Sequence, residues 1–130
     1  MKILFLLLVG LFVSVGSVYA ESLDSSINST EKSLIVGKQT MIMADISNSQ
    51  DIEQNFAYLT QIKNEDDVVV SLSWLTGSLS PGQSLSPAQS WTPTETGTFR
   101  IQIFVWKSID NPEALSPSLS MIVNVSSSMA

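Results

Sequence analysis

The sequence contains no cysteine and no histidine. Without cysteine no disulfide can staple the chain, so the fold must rest on its apolar core alone. Without histidine the commonest general base and the commonest transition-metal ligand are both missing, which excludes zinc, blue-copper and Ser-His-Asp chemistry within this chain. Basic residues are also scarce, six Lys and Arg against twelve Asp and Glu. Lys2 falls in the segment read below as a leader, so the mature product carries five against twelve, a net charge of −7. Its bases, Lys32, Lys38, Lys63, Arg100 and Lys107, are scattered. Phosphate backbones are bound mainly through clustered Lys and Arg, so nucleic acid is excluded as a partner, and anionic membrane surfaces are repelled.

What is present begins with a long apolar run. Lys2 precedes Ile3 to Val18, and Val18-Tyr19-Ala20 has the small or apolar character that a signal peptidase reads before the polar stretch opening at Glu21. The run is shorter than the eighteen or more residues of a usual membrane span. Residues 1–20 are therefore expected to be a secretory leader, which places the product outside the cell or on its surface, with membrane contact only through the leader if it is retained. Residues 21–31, rich in Ser, Asn and Asp, read as a flexible tether. Residues 32–126 read as one domain, the size at which a single core forms, and 127–130 as a disordered tail.

Within the domain the apolar pattern has period two and turn residues recur at short intervals. Leu34–Val36 makes a first short strand. Ile42, Ala44 and Ile46 then share one face of a second, opposite Met41, Met43 and Asp45. Phe56, Tyr58, Thr60 and Ile62 share a face of a third strand, and after the acidic turn Asn64–Asp67 a hairpin partner carries Val70, Leu72 and Trp74 on one side. Gly77–Gly82 reads as a loop, and Gln83–Trp91 as a weaker strand that Pro87 confines to an edge or bulge. Phe99, Ile101, Ile103 and Val105 alternate with Arg100, Gln102, Phe104 and Trp106 up to a break at Asp110-Asn111-Pro112. The last strand turns Leu119, Met121, Val123 and Val125 inward. Some seven strands and no helix after the leader predict an all-β, two-sheet antiparallel Ig-like sandwich.

The segment Trp91-Thr92-Pro93-Thr94-Glu95-Thr96-Gly97-Thr98-Phe99 resembles the turn before a late strand in Ig-like and fibronectin-like extracellular modules. Phe99 stands where such modules often carry a tyrosine, so the corner is expected to rely on packing without a tethering hydroxyl. A longer stretch, from Asp45-Ile46-Ser47-Asn48 through Leu79-Ser80-Pro81-Gly82-Gln83 to Phe104–Pro112, is similar to short secreted or surface-displayed Ig-like domains of ammonia-oxidising archaea and to CARDB-like adhesion modules. The resemblance implies compartment and module type. It transfers no catalytic residue and no cofactor.

Trp74, Trp91 and Trp106 are each expected to pack in the core or at an edge. Trp106 is the exception to watch, because it lies with Arg100, Gln102 and Phe104 opposite the aliphatic row and could form a contact surface. Glu65, Asp66 and Asp67, with Asp45, Asp51, Glu53 and Asp110, offer oxygen ligands, but their spacing fits no calcium loop, so a solvated turn is expected and no metal site. Asn28 and Asn124 head N-x-S/T sequons. Together these features predict a non-enzymatic exported module that acts by contact with a protein or envelope partner. Two alternatives stand beside it: carbohydrate binding through exposed Trp side chains, or protease inhibition by the loop Leu79–Ser86.

Overall fold

A computed structural model of the protein describes residues 22–28 and 32–127. The leader, residues 1–20, and residues 128–130 of the tail lie outside the described residues. Ten strands follow in order: β1 (Asp24–Ile27), β2 (Ser33–Ile35), β3 (Thr40–Ser47), β4 (Gln54–Lys63), β5 (Val69–Leu79), β6 (Ser84–Leu85), β7 (Ala88–Trp91), β8 (Gly97–Ser108), β9 (Asn111–Ala114) and β10 (Leu119–Ser126). They form two sheets. In the smaller, β3 is flanked by β1 on one side and by β6 and β7; in the larger the order is β2-β10-β8-β4-β5, with β9 added to the end of β8. All pairings are antiparallel except that of β2 with β10, which is parallel.

The alternation read from the sequence is what packs the two sheets together. Ile42, Ala44 and Ile46 of the smaller sheet meet Phe56, Tyr58 and Ile62 of β4, the Phe99–Val105 row of β8, and Met121, Val123 and Val125 of β10 in one core. Trp91 closes the end of that core edge-on to Phe99, with ring centroids 5.3 Å apart.

Four expectations need correction. First, the segment read as a tether contains β1, which pairs with β3 from Asp24↔Ser47 to Ile27↔Ala44. Leu23 is buried beside it, and the Ser22 and Leu23 amides both donate to the Leu115 carbonyl. Leu23, Ser25 and Ile27 do alternate with exposed Asp24, Ser26 and Asn28, but the serine thins the apolar signal. Second, β5 runs through Gly77 and Ser78 to Leu79, where a loop was expected. Gly77 faces Phe56 in register, and a Cβ there would stand 3.2 Å from the Phe56 ring, so the glycine makes room for an aromatic on the neighbouring strand. Third, the break after β8 falls at Ile109–Asp110 as expected, but Asn111 and Pro112 do not belong to it, since they open the returning strand β9. Fourth, the corner at Gly97 has a polar tether as well as packing, as the next subsection describes.

The weak strand 83–91 behaves as read. β6 and β7 keep a single register along β3, Ser47↔Ser84 at one end and Thr40↔Trp91 at the other, interrupted at Ser86 and Pro87. Pro87 cannot donate, but its carbonyl accepts from the Ala44 amide at 3.4 Å.

Candidate contact surface

The outer face of the larger sheet is built from residues of opposite parity to the core row. Register fixes its layout. Thr76, Ala57 and Trp106 lie abreast on β5, β4 and β8; the next row is Trp74, Leu59 and Phe104; then Leu72, Gln61, Gln102 and Ser120 of β10; and last Lys63, Arg100 and Ile122. Arg100, Gln102, Phe104 and Trp106 thus share one face, with Arg100 exposed and the other three half-buried. Phe104 and Trp106 stack along β8 with centroids 5.9 Å apart in a tilted arrangement.

Trp74 belongs to the same surface, a placement the alternation along β5 leaves undecided. It is 55% exposed and Leu72 is 50% exposed. Leu59 sits between Trp74 and Phe104 and is only 7% exposed although it points away from the core, because its two large neighbours shield it. The face is graded. An apolar end made by Trp74, Leu59, Phe104 and Trp106 passes into an amide pair, where Gln61 Nε2 donates to Gln102 Oε1 at 3.1 Å, and then into two adjacent cations. Of these, Lys63 is held by Asp67 at 3.4 Å.

The fold behind this face has known counterparts. The CARDB domain of the PF1109 protein from Pyrococcus furiosus, solved in complex with di-metal ions, superposes with a TM-score of 0.63 at 19% identity, over 85% of this chain and 100% of that one. The fold is CARDB-like. Similar units occur inside larger enzymes: a Paenibacillus cycloisomaltooligosaccharide glucanotransferase complexed with cycloisomaltoheptaose (TM-score 0.63, 19% identity, 80% of this chain and 14% of that one) and a Listeria innocua β-glucosidase in complex with glucose (TM-score 0.61, 17% identity, 79% and 16%). The chain therefore spans only 14–16% of the length of those enzymes. Its sequence matches no protein-family model and no curated protein.

Four of the seven carboxylates considered as metal ligands, Asp45, Glu65, Asp67 and Asp110, have partners within the chain. Asn64 Oδ1 accepts from the amides of Asp66 and Val68, and Asp67 takes a positive φ of 65°, which an Asp tolerates in a tight hairpin turn. Glu65 reaches across to the Gly97 corner, where its Oε1 accepts from the Thr98 amide at 2.9 Å. This is the tether that the Phe99 corner was expected to lack, supplied by a carboxylate from the β4–β5 turn. Asp45 accepts from Ser86 and from the Asn28 side chain. Asp110 accepts from the Ser108 hydroxyl at 2.6 Å, which with its own backbone amide holds its carboxyl below the ordinary value. Among the described residues no three such side chains converge.

The remaining candidates are also located. Asn28 is exposed but not on a free tether, since its amide donates to the Met43 carbonyl; Asn124 lies within β10, accepting from the Thr98 hydroxyl. The Leu79–Ser86 segment is not a free loop. Leu79 is buried, Ser84 and Leu85 pair with β3, and Asn48 pins the rest. Asn48 was not singled out in the sequence. It is 1% exposed, and its Nδ2 reaches the carbonyls of Ile52, Leu79 and Ser80 while its backbone pairs with Gln83 and Gly82.

Proposed function

We propose that this protein is an exported, non-enzymatic Ig-like module that works by contact in cell-surface adhesion or envelope assembly, and that the outer face of the larger sheet is its working surface. The observation that carries this reading is the group of Trp74, Phe104 and Trp106 around Leu59 on the outer side of a hydrogen-bonded sheet. An antiparallel sheet packed on one side normally presents polar residues on the other. An aromatic-rich face with one neighbouring Arg has instead the composition of an interface centre. The CARDB-like fold and the small share that such units form of larger enzymes support an accessory contact role.

The test is affinity capture from native envelope with the processed protein, against a Phe104→Ser/Trp106→Ser variant shown by circular dichroism to be folded. A protein captured by the first and lost by the second supports the reading; equal capture by both removes the face from it. A second reading, carbohydrate binding, is favoured by the exposed Trp74 indole beside the Gln61–Gln102 amides, a flat apolar surface next to hydrogen-bonding groups. Retardation of the protein in polysaccharide-containing gels, abolished by Trp74→Ala, would establish it; unchanged mobility across a polysaccharide panel would dismiss it.

A further inference from the structure

The strand edges of this molecule are not protected alike. β1 has four residues and carries Asp24; β2 has three and is bracketed by Lys32 and Lys38; β6–β7 is broken by Pro87; β9 contains Pro112 and Glu113. Short length, charge and proline are the usual means of keeping an edge from pairing with another chain. β5 has none of them. It is eleven residues long, contains no charged residue and no proline, and among the described residues pairs only with β4. A bulge at its start, between Ser71 and Val69, leaves Ser71–Leu79 in unbroken register. Of the ten exposed large hydrophobic residues among the described residues, four (Val69, Val70, Leu72 and Trp74) lie in β5 and a fifth, Val68, immediately precedes it.

Charge sets how a second copy could lie along it. The chain is net negative, so two copies repel wherever acidic groups meet, and the β5 edge is a long surface where they do not. The acidic turn Glu65–Asp67 stands at the start of the strand. Two β5 strands side by side in parallel would bring these turns within about 5 Å, whereas antiparallel pairing separates them by about 50 Å, well beyond the screening length. Trp74 is the midpoint of Val69–Leu79.

We propose that β5 is the pairing edge of a homodimer: two copies run β5 antiparallel about a two-fold axis at Trp74, joining their larger sheets and outer faces into one surface. In this register Leu72 of one copy lies opposite Thr76 of its partner and the two Trp74 indoles are neighbours. The interface is isologous, so it closes and leaves no free β5 edge for further growth. The proposal is independent of what the outer face binds.

The absence of native cysteine makes the register testable with single introduced thiols. Leu72→Cys and Thr76→Cys are prepared separately from an export-competent host, and each is checked by circular dichroism. Opposed residues on antiparallel strands have Cα atoms about 4.5–5.5 Å apart, within disulfide reach, while residue 76 of one copy and residue 76 of the other are offset by about 13 Å. The native chain is expected to sediment at twice its monomer mass. Mild oxidation should cross-link the mixture of the two variants into a heterodimer and leave each variant alone uncross-linked. A native chain that stays monomeric up to its solubility limit overturns the proposal. So does a mixture that fails to cross-link, or cross-links no faster than the single variants. Phe104→Ser/Trp106→Ser should leave the dimer intact, which separates failure here from failure of the contact reading.

Discussion

Replacing Tyr58 by Phe should stabilise this protein. Tyr58 is completely buried on the inward face of β4, and Thr60 follows it on the same face at 2% exposure. No protein group among the described residues meets either hydroxyl at hydrogen-bonding geometry. Burial pushes the phenol above its ordinary value; the nearness of Thr60 opposes that rise without amounting to a satisfied bond. A buried hydroxyl without a partner costs about 1–3 kcal/mol. Tyr58→Phe removes that cost and leaves a void the size of one oxygen, so the net gain should be about 1 kcal/mol. In a domain of about 100 residues this raises Tm by about 4–8 °C. The pH dependence has a definite sign. Because the folded phenol is harder to ionise than the unfolded one, its contribution is constant below the ordinary tyrosine value near 10 and is lost as pH rises beyond it. Urea titrations at pH 7 and at about pH 11 should therefore show the parent losing more stability with alkali than Tyr58→Phe does. A loss of more than about 1 kcal/mol at pH 7 in Tyr58→Phe would refute the reasoning, because it would mean that the hydroxyl is satisfied.

Substitutions at three further positions test two polar fastenings and one glycine corner. Asn48→Ala should cost about 3 kcal/mol, read as a lower urea midpoint, since it strips partners from three carbonyls where two loops meet. Glu65→Ala should speed hydrogen exchange at the Thr98 amide and cost about 1 kcal/mol, whereas Glu65→Gln, which keeps an acceptor oxygen, should stay close to the parent. Gly97→Ala should cost about 1–3 kcal/mol in the same titration, because Gly97 has φ 139°, a conformation that a side chain rarely permits.

The sequence was most legible where one side of a strand is aliphatic and the other is not. Ile42-Ala44-Ile46, Phe99–Val105 and Met121–Val125 declare their inward faces, and these rows form most of the core. β5 reverses the rule. Its more apolar side, Leu72 and Trp74, faces solvent, while Ser71 and Ser73 turn inward, where the Ser73 hydroxyl donates to Gln89. Period two tells which residues share a side but not which side is inside, and at an edge strand there is too little core to decide it. That is why Phe104 and Trp106 of β8 were singled out as a candidate face while Trp74, which shares that side of the sheet, was not. Glu65 and Thr98 lie 33 positions apart, and no local pattern predicts their meeting. Asn48 looked like a turn residue, and is one; its burial arises only when the Leu79–Gln83 segment folds over it.

The parallel pairing of β2 with β10 bears on how the protein would carry load. β2 lies near one end of the described chain and β10 near the other, aligned over Asn124↔Ser33 to Ser126↔Ile35 and extended by Asn124 N–H to the Lys32 carbonyl and Val36 N–H to the Ser126 carbonyl. Tension applied between the ends draws two parallel strands in opposite directions along their length. Their hydrogen bonds are then sheared together instead of being opened one after another like a zipper. A molecule pulled by its two ends would first load β1, which precedes β2 and pairs with β3, and would then be held by this short ladder.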